Sequence, residues 1–556
     1  MGRGGRHSGV GRGRGRPLNF DVIVIGSGMG GLTCGSLLAQ LRGLRVAVLE
    51  QHFTLGGFTH SFARPGGREW AMGLHYVGQM GGSEQVRAIM DTVTGGQVRW
   101  NPMPTLFERY HFPGIVVDQP AGRDAYAAML VERWPEERPA IERYLGEIDV
   151  AYRWFVSRLP LGSMSPVAGE RPRRAQSARA RALCTTREAL DGCGLRSPVL
   201  RAALTAQWGN YGVPPATSAF AAHATVVSHF VDGGWFPEGG SSGIADGARA
   251  AIEAAGGTCL VRHEVEQVLV EHRKAVGVRV RHGSGARRST RELRAPLVIS
   301  DAGAAITFER LLRDDQSPEV KATRAAIRAL RIPASAAQLF LTFREPASTL
   351  GFHGENHWMF AGYDHDEAYA RRNRLVDGQV NTAFLSFPSL KDPLQRIATA
   401  EIIAPIDRTE FDRWATLPWK RRGGEYERLK ATISAALLAF VETHHPGFSA
   451  LVEYAELATP LTVAHFTGND DGAIYGLPAV PARFMTDALR VPTPVPGLML
   501  TGADVCGQGI VGAMLGGVMT VGHILGAGGF ERVLAFARTK GFDATPARPR
   551  TRDSGG

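Results

Sequence analysis

Cysteine is scarce in this chain and scattered where it occurs. Cys34, Cys184, Cys193, Cys259 and Cys506 are the whole set in 556 residues, and no two stand in C-x-x-C spacing. That pattern excludes a dithiol redox motif and a zinc knuckle. An odd, dispersed set also excludes a secreted disulfide scaffold, so reduced thiols in a bacterial-type cytosol are expected. The first residues, "MGRGGRHSGVGRGRGRPLNF", have no apolar stretch of the kind a secretory leader needs. They read as a disordered tail over 1–16, or as an over-extended gene start, and the "RPRTRDSGG" end reads the same way. The formal charge of +10 draws five of its units from Arg3, Arg6, Arg12, Arg14 and Arg16 in that tail. The charge is therefore a local feature, and no nucleic-acid partner is expected. His353 and His357 stand four apart, but no H-E-x-x-H pattern accompanies them, so no metal site is expected.

Charge itself is missing from one long stretch. From Val505 to Phe530 there is no Asp, Glu, Lys or Arg, and Gly512 and Gly516 stand in G-x-x-x-G register. A membrane span needs about 20 apolar residues and tolerates glycine at helix contacts. This segment opens instead with Gly507–Gln508–Gly509 and carries His523. It reads as a helix that covers a cofactor.

What is present begins at Asp21, with "DVIVIGSGMGGLTCGSLLAQLRGLRVAVLEQH". Val22 to Ile25 form an apolar, β-branched run suited to a buried parallel strand. Gly26, Gly28 and Gly31 then fit G-x-G-x-x-G and lead into a helix from about Met29 to Leu41. A second strand, Arg45 to Leu49, ends at Glu50. Gly26 permits the tight turn, Gly28 lets backbone approach a pyrophosphate, and Gly31 allows close helix–strand packing. The helix N-terminus faces the phosphates, and Glu50 accepts hydrogen bonds from a ribose hydroxyl. Only one such fingerprint is visible, so no separate NAD(P)H domain is expected. At 556 residues, two or more domains are the default.

After Glu50 comes "QHFTLGGFTHSFARPGGREWAMGLHYVGQM", where Gly56–Gly57 resembles the second glycine signature of FAD-binding oxidoreductases built like glutathione reductase and the amine oxidases. "FPEGGSSGIADGARAAIEAAGGTCLVRHEVEQVLVEHRKAVGVRV" reads as a turn and then a helix capped by Ser241 or Ser242. A strand Thr258–Val261 follows, and then a hairpin, Val265–Val270 and Ala275–Val280, around Arg273–Lys274. Ala295 to Ala304, "APLVISDAGA", reads as a further strand and turn. Near the other end, "LMLTGAD" runs a short strand into Gly502 and Asp504, ahead of a helix starting near Ile510–Val511.

Together these segments resemble the superfamily of FAD-dependent phytoene desaturases, carotenoid isomerases and retinol saturases. The pattern is nearest to the retinol saturase (all-trans-retinol 13,14-reductase) side. The residues carrying the resemblance are "VLEQHFTLGGFTHSF", "GLHYVGQM", "NYGVPPATSAFAAHATVVSHFVDGGWFPEGG", "LATPLTVAHFTGNDDGAIYGL" with "PARF", and "LTGADVCGQGIVGAMLGG". One departure is "REWAMGLHYVG", which stands where relatives usually carry an Asp two residues before the Gly that matches Gly73, so that Met72 changes the polarity beside the expected flavin.

The resemblance implies an α/β protein: a Rossmann-like FAD-binding domain of the glutathione reductase/amine oxidase type with a discontinuous α+β substrate domain. The FAD domain collects about 17–80, 235–310 and 490–530; the substrate domain uses 81–234 and 311–489, with 531–556 as a tail. It implies a cofactor set of Gly26, Gly28, Met29, Gly30, Gly31, Glu50, Gln51, Gly56, Gly57, Phe58, Val265, Gly502, Asp504, Gly509, Ile510 and Val511. In this set Val265 offers backbone to the adenine, Asp504 bonds the ribityl chain, and the helix at Ile510–Val511 faces the flavin's pyrimidine edge. The implied activity is hydride transfer at a polyene C=C or C–C bond, as saturase, desaturase or isomerase. The implied substrate is a lipophilic carotenoid or retinoid; the electron partner is left open.

Proton-handling candidates are His75 and Tyr76, expected on a strand after Gly73, with His465 and Tyr475 in the segment resembling the substrate-domain floor. His75 ranks first because imidazole titrates near neutral pH; a structural histidine is the alternative. Arg483 either anchors a polar head group or pairs with an acid, and the pairing is the expectation. Arg171, Arg173, Arg174, Arg179 and Arg181 form a basic run. It is either a solvated helix face or an attachment to the inner face of the membrane, from which a lipophilic substrate enters. Two other readings share the scaffold: an amine oxidase-like enzyme, and a non-enzymatic isoprenoid escort like the prenyl-GTPase dissociation inhibitors. The presence of Glu50, Gly56–Gly57 and Asp504 favours a bound flavin over the escort.

Overall fold

In a computed structural model of the chain, residues 20–540 are described except 82–83, 162–171, 284–287 and 333. The tails expected at 1–16 and beyond 540 lie outside the described residues. Five parallel strands form the first sheet, in the order Leu498–Leu500, Leu297–Ser300, Val22–Ile25, Val46–Leu49, Thr258–Leu260. The inner strands read VIVI, VAVL and LVIS, the near-continuous apolar runs that a sheet covered on both faces requires. The helix Met29–Arg42 connects the first two strands. The carboxyl ends of four strands run into Gly26, Glu50, Asp301 and Thr501, which places the sheet's crevice among these residues.

The charge-free C-terminal segment folds as the helix Gly509–Leu525 against this sheet. Its glycines are contacts within the chain. A Cβ on Gly517 would lie 2.6 Å from Cβ of Thr33 and 2.8 Å from the Gly30 carbonyl oxygen, and one on Gly516 would strike Gly502. No single helix among the described residues is long and apolar enough to cross a membrane. Beyond a 118° bend, residues 529–539 form a further helix whose Phe530 and Val533 are buried. The boundary expected at 531 falls inside this helix.

The helix Ser242–Ala254 has Ser241 at its cap position, but that hydroxyl makes no capping bond. The expected hairpin is the pair His263–Glu271 and Lys274–His282. Its turn residues are His272 and Arg273, with φ of 48° and 63°, because Glu271 pairs with Lys274. A third strand, Ser289–Arg294, joins it. Its sequence STRELR is too polar to announce a strand.

The second large sheet has seven strands: Val452–Ala458, Ala336–Phe343, Thr399–Pro405, Thr382–Ser386, Asn356–Phe360, Leu106–Phe112 and Ile115–Pro120. It is mixed, since only Asn356–Phe360 and Leu106–Phe112 run parallel. The long helix Gly424–His444 packs Tyr426, Ile433, Leu437 and Val441 onto it. Of the basic run, Arg171 and the side chains of Arg173 and Arg174 lie outside the described residues. Arg181 is tied to Glu147, Nε to Oε2 at 2.6 Å.

Candidate functional site

One large cavity, about 1050 Å³, connects the crevice of the parallel sheet to the face of the seven-stranded sheet. Sites for a single drug-sized ligand span about 300–1,000 Å³. This one has room for a long cofactor and a second, apolar molecule.

The crevice end is built from the two glycine signatures. Gly26 has φ +93°, and the N-cap Gly28 offers no side chain to the first-turn amides of Met29–Arg42, which leaves that helix end open to an anion. Glu50 is buried, and its Oε2 accepts from the Ser27 amide at 3.0 Å and the Ser27 hydroxyl at 2.6 Å. Its Oε1 accepts from the His52 amide at 2.8 Å. Gly56 donates to Ser27 Oγ at 3.1 Å, so Ser27 and Glu50 bolt the second glycine signature to the first. Gly57, at φ +54°, lies against Gly28, where a Cβ would meet Gly28 Cα at 3.1 Å.

Asp301, at the end of Leu297–Ser300, faces the same crevice. Burial pushes its carboxyl up to about 8, against the opposing pull of the Gly31 and Gly28 amides. Asp504 accepts from the amides of Ala304 at 2.8 Å and Leu477 at 2.9 Å, so both of its oxygens already serve backbone, with lone pairs left over. Arg483 departs from expectation. It is buried and donates to the carbonyls of Leu477 and Ala503, and no carboxylate among the described residues is bonded to it.

Of the expected cofactor set, Gly26, Gly28, Met29, Glu50, Gln51, Gly56, Gly57, Phe58, Val265, Asp504, Gly509, Ile510 and Val511 line the cavity. Val265 sits on the outer strand of its three-stranded sheet, which leaves backbone on one side unclaimed by a neighbour. Gly30, Gly31 and Gly502 do not line it. Gly30 lies against the backbone of Gly502, and Gly31 against the carbonyl of Gly26, so these three serve packing.

Among the proton-handling candidates, His75, Tyr76 and Tyr475 line the cavity. His75 and Tyr76 are not on a strand: the strand Arg68–Ala71 ends earlier, and only Val77 bridges to Trp235. His465 is absent from the lining and stacks on Trp419, with ring centroids 5.3 Å apart. Burial pushes Tyr475 up to about 12 and Tyr76 well above the ordinary phenol range, so both are neutral donors at working pH.

Behind His75 and Tyr76 the structure assembles a polar network that the motifs did not reveal. Glu401 is fully buried, with Oε2 2.8 Å from His75 Nδ1. Lys391, also buried, donates to the His75 carbonyl at 3.0 Å, Ser386 Oγ at 2.7 Å and Asn356 Oδ1 at 2.5 Å. Glu108 accepts from Trp358 Nε1 at 2.7 Å, and Asn210 Nδ2 donates to the Tyr76 hydroxyl at 2.8 Å. Burial raises the Glu108 carboxyl above its ordinary range and lowers the Lys391 ammonium below its own. The sequence did hold a signal: Glu108 in LFERYHF and Glu401 in TAEIIAP are each the one acid inside an otherwise core-type strand. Beyond this network the cavity wall turns apolar, with Trp208, Trp358, Phe384, Ile403, Phe155 and Phe530.

Comparison with known proteins gives a consistent picture. The model of a family described as an FAD binding domain matches residues 21–325. All-trans-retinol 13,14-reductase of Danio rerio is 31% identical over 536 residues, spanning 92% of this chain and 86% of that one. Prolycopene isomerase 2 of an Oncidium hybrid is 27% identical over 537 residues, spanning 92% and 85%. Cyclohexylamine oxidase from Brevibacterium oxydans superposes with a TM-score of 0.56 at 18% identity, covering 94% of this chain and 99% of that one, a likeness of fold alone. The crevice fits FAD: an open helix N-terminus, the buried carboxyl groups of Glu50 and Asp301 and an edge strand at Val265 lie along one channel.

Proposed function

The chain belongs to the FAD-binding domain family and is an FAD-dependent oxidoreductase, and from that premise we propose that it saturates a carbon–carbon double bond of a lipophilic conjugated polyene, a retinoid or carotenoid. The observation that carries this reading is the continuity of the cavity. One channel joins the dinucleotide crevice to an apolar, aromatic chamber, with His75, Tyr76 and Tyr475 in its lining. The shape suits a long apolar chain laid beside a redox cofactor.

Saturation adds one hydride and one proton across C=C, giving CH–CH. Bound FAD, once reduced, supplies the hydride and its electron pair. The chain's own residues bind, exclude water and hold the proton. Trp358, Phe384 and Ile403 form the apolar wall that keeps water from the reacting atoms. His75 holds the proton at a cavity-facing imidazole, with the Glu401 carboxylate oxygen Oε2 2.8 Å behind its Nδ1. Asn210, Glu108 and Lys391 orient Tyr76 and the His75 backbone, so that the donors stay in place when substrate enters.

Localisation at the inner face of a membrane, through the basic helix at Pro172–Leu183, accords with such a substrate. The test is anaerobic visible spectroscopy on protein with photoreduced flavin, before and after adding all-trans-retinol or a carotenoid. Return of the oxidised spectrum, with a product two mass units heavier, is the expected result. An unreturned spectrum with unchanged substrate overturns saturation in favour of desaturation or isomerisation. A protein purified without flavin spectrum overturns the enzyme reading in favour of an escort.

A further inference from the structure

Far along the seven-stranded sheet from the motifs, three imidazoles converge. His111 and His357 stand on the two parallel neighbours Leu106–Phe112 and Asn356–Phe360, whose register sets Arg109 opposite His357 and His111 opposite Met359. Residues two apart share a face, so both rings project to the same side. His445 caps the C-terminal end of the helix Gly424–His444 and brings a third ring onto that face. His111 and His357 are buried and His445 is half-buried. None of the three lines the large cavity.

We propose that His111, His357 and His445 form a binding site for a zinc-class divalent cation that fastens the Gly424–His444 helix to the sheet. Candidate donor atoms of the three rings all lie within 4.8 Å of one another, and His111 Nε2 is 3.0 Å from His357 Nδ1. In tetrahedral zinc with bonds of about 2.05 Å, nitrogen ligands sit about 3.3 Å apart, which is close to the His111–His357 spacing. His445 Nε2 is buried without a hydrogen-bond partner. With Nδ1 of His357 on the metal, its Nε2 faces Glu355 Oε1 at 3.3 Å, the carboxylate–histidine–metal arrangement that sets tautomer and ring orientation.

The surroundings suit a cation. The C-terminal end of a long helix carries partial negative charge, and Glu355 adds a full one. The facing cation, Arg109, is held by Asp118 through bonds of 2.7 and 2.9 Å. His444, whose ring is 5.5 Å from His111, borders the same group. Three imidazoles with water in the fourth position favour zinc among common biological cations, and magnesium and calcium, which prefer oxygen, are excluded. The i, i+4 pairing of His353 with His357 plays no part: His353 is exposed, and His357 sits in a strand.

The test uses tag-free, flavin-loaded full-length protein stripped with a chelator and titrated with zinc chloride against a chromophoric competitor. The expected result is one tightly bound zinc per chain and a zinc-dependent rise in melting temperature. His445→Ala, at the half-buried position, should weaken zinc at least tenfold and abolish the rise while keeping its flavin. His353→Ala, at the exposed neighbour, should change neither. His111→Gln is a second variant, read for zinc only if its flavin spectrum matches the parent. Failure of stripped protein to take up zinc, or equal uptake and equal thermal response by His445→Ala, overturns the site.

Discussion

Glu50 is a residue whose two tasks can be separated by substitution. Its carboxylate holds three donors from Ser27 and His52 and also faces the crevice. Glu50→Gln keeps one oxygen for the Ser27 pair but loses the charge, so flavin should be held about tenfold more weakly, about 1.4 kcal/mol, in a folded protein. Glu50→Ala leaves buried donors unpaired at about 1–3 kcal/mol each and should lower the melting temperature as well. Flavin-to-protein absorbance ratios and thermal melts read both effects, and equal flavin content in all three proteins would contradict this role. At the chemical end, His75→Gln should lower kcat by about 10²–10³ with flavin content unchanged. Glu401→Gln should cost less, and an unchanged kcat in His75→Gln would return His75 to a structural part. His75 stood out in the sequence by its place after Gly73. Glu401 showed there only as a lone acid in a strand, and its pairing with His75, like the contacts of Lys391, depends on a partner hundreds of residues away.

Elements meet here through glycine. The helices Met29–Arg42 and Gly509–Leu525 approach closely because Gly30 lies on Gly502 and Gly517 on Thr33. In Gly30→Ala the new methyl would strike Gly502 backbone, which no rotamer change can relieve. The substitution should cost about 3 kcal/mol and lower flavin content with it. Gly43, at φ +60° with nothing within 4 Å of a built Cβ, is the contrast. Gly43→Ala should cost only about 1 kcal/mol and leave the flavin in place. Differential scanning of the two variants separates close packing from mere backbone freedom; equal melting temperatures would refute the distinction. The same packing explains why a charge-free, glycine-spaced segment resembles a membrane helix in composition alone: its small residues meet another helix of the same chain. The polar strand Ser289–Arg294 was invisible for the opposite reason, since it has no apolar alternation to read.

At the scale of the whole molecule, buried histidines set the acid limit of the fold. Burial lowers His223 to about 3 and His229 and His365 to about 4. Each imidazole has a depressed folded value, so from its ordinary value near 6.5 down to about 4 the unfolded chain binds a proton that the native chain refuses. Stability therefore falls as pH falls through that window, by up to about 1.4 kcal/mol per unit for each group. Denaturant midpoints at pH 7, 6 and 5 should decline steadily, and His223→Gln should flatten the decline in proportion. A midpoint constant from pH 6.5 to 5 would contradict the burial of these rings.

The amino-acid sequence by itself determined the dinucleotide crevice. A β-branched strand, spaced glycines and a terminal acid act through backbone conformation within some thirty residues, and that chemistry is local. It likewise carried Gly56–Gly57 and the strand before Gly502, whose meaning is again a turn. Tertiary structure alone decided which glycines line the site and which only pack, that His465 turns away to Trp419, and that Arg483 holds carbonyls. It also decided the Glu401–His75 pair and the convergence of His111, His357 and His445. Those outcomes depend on sheet register and on where distant strands and a helix end come together, and neither residue spacing nor composition encodes that distance.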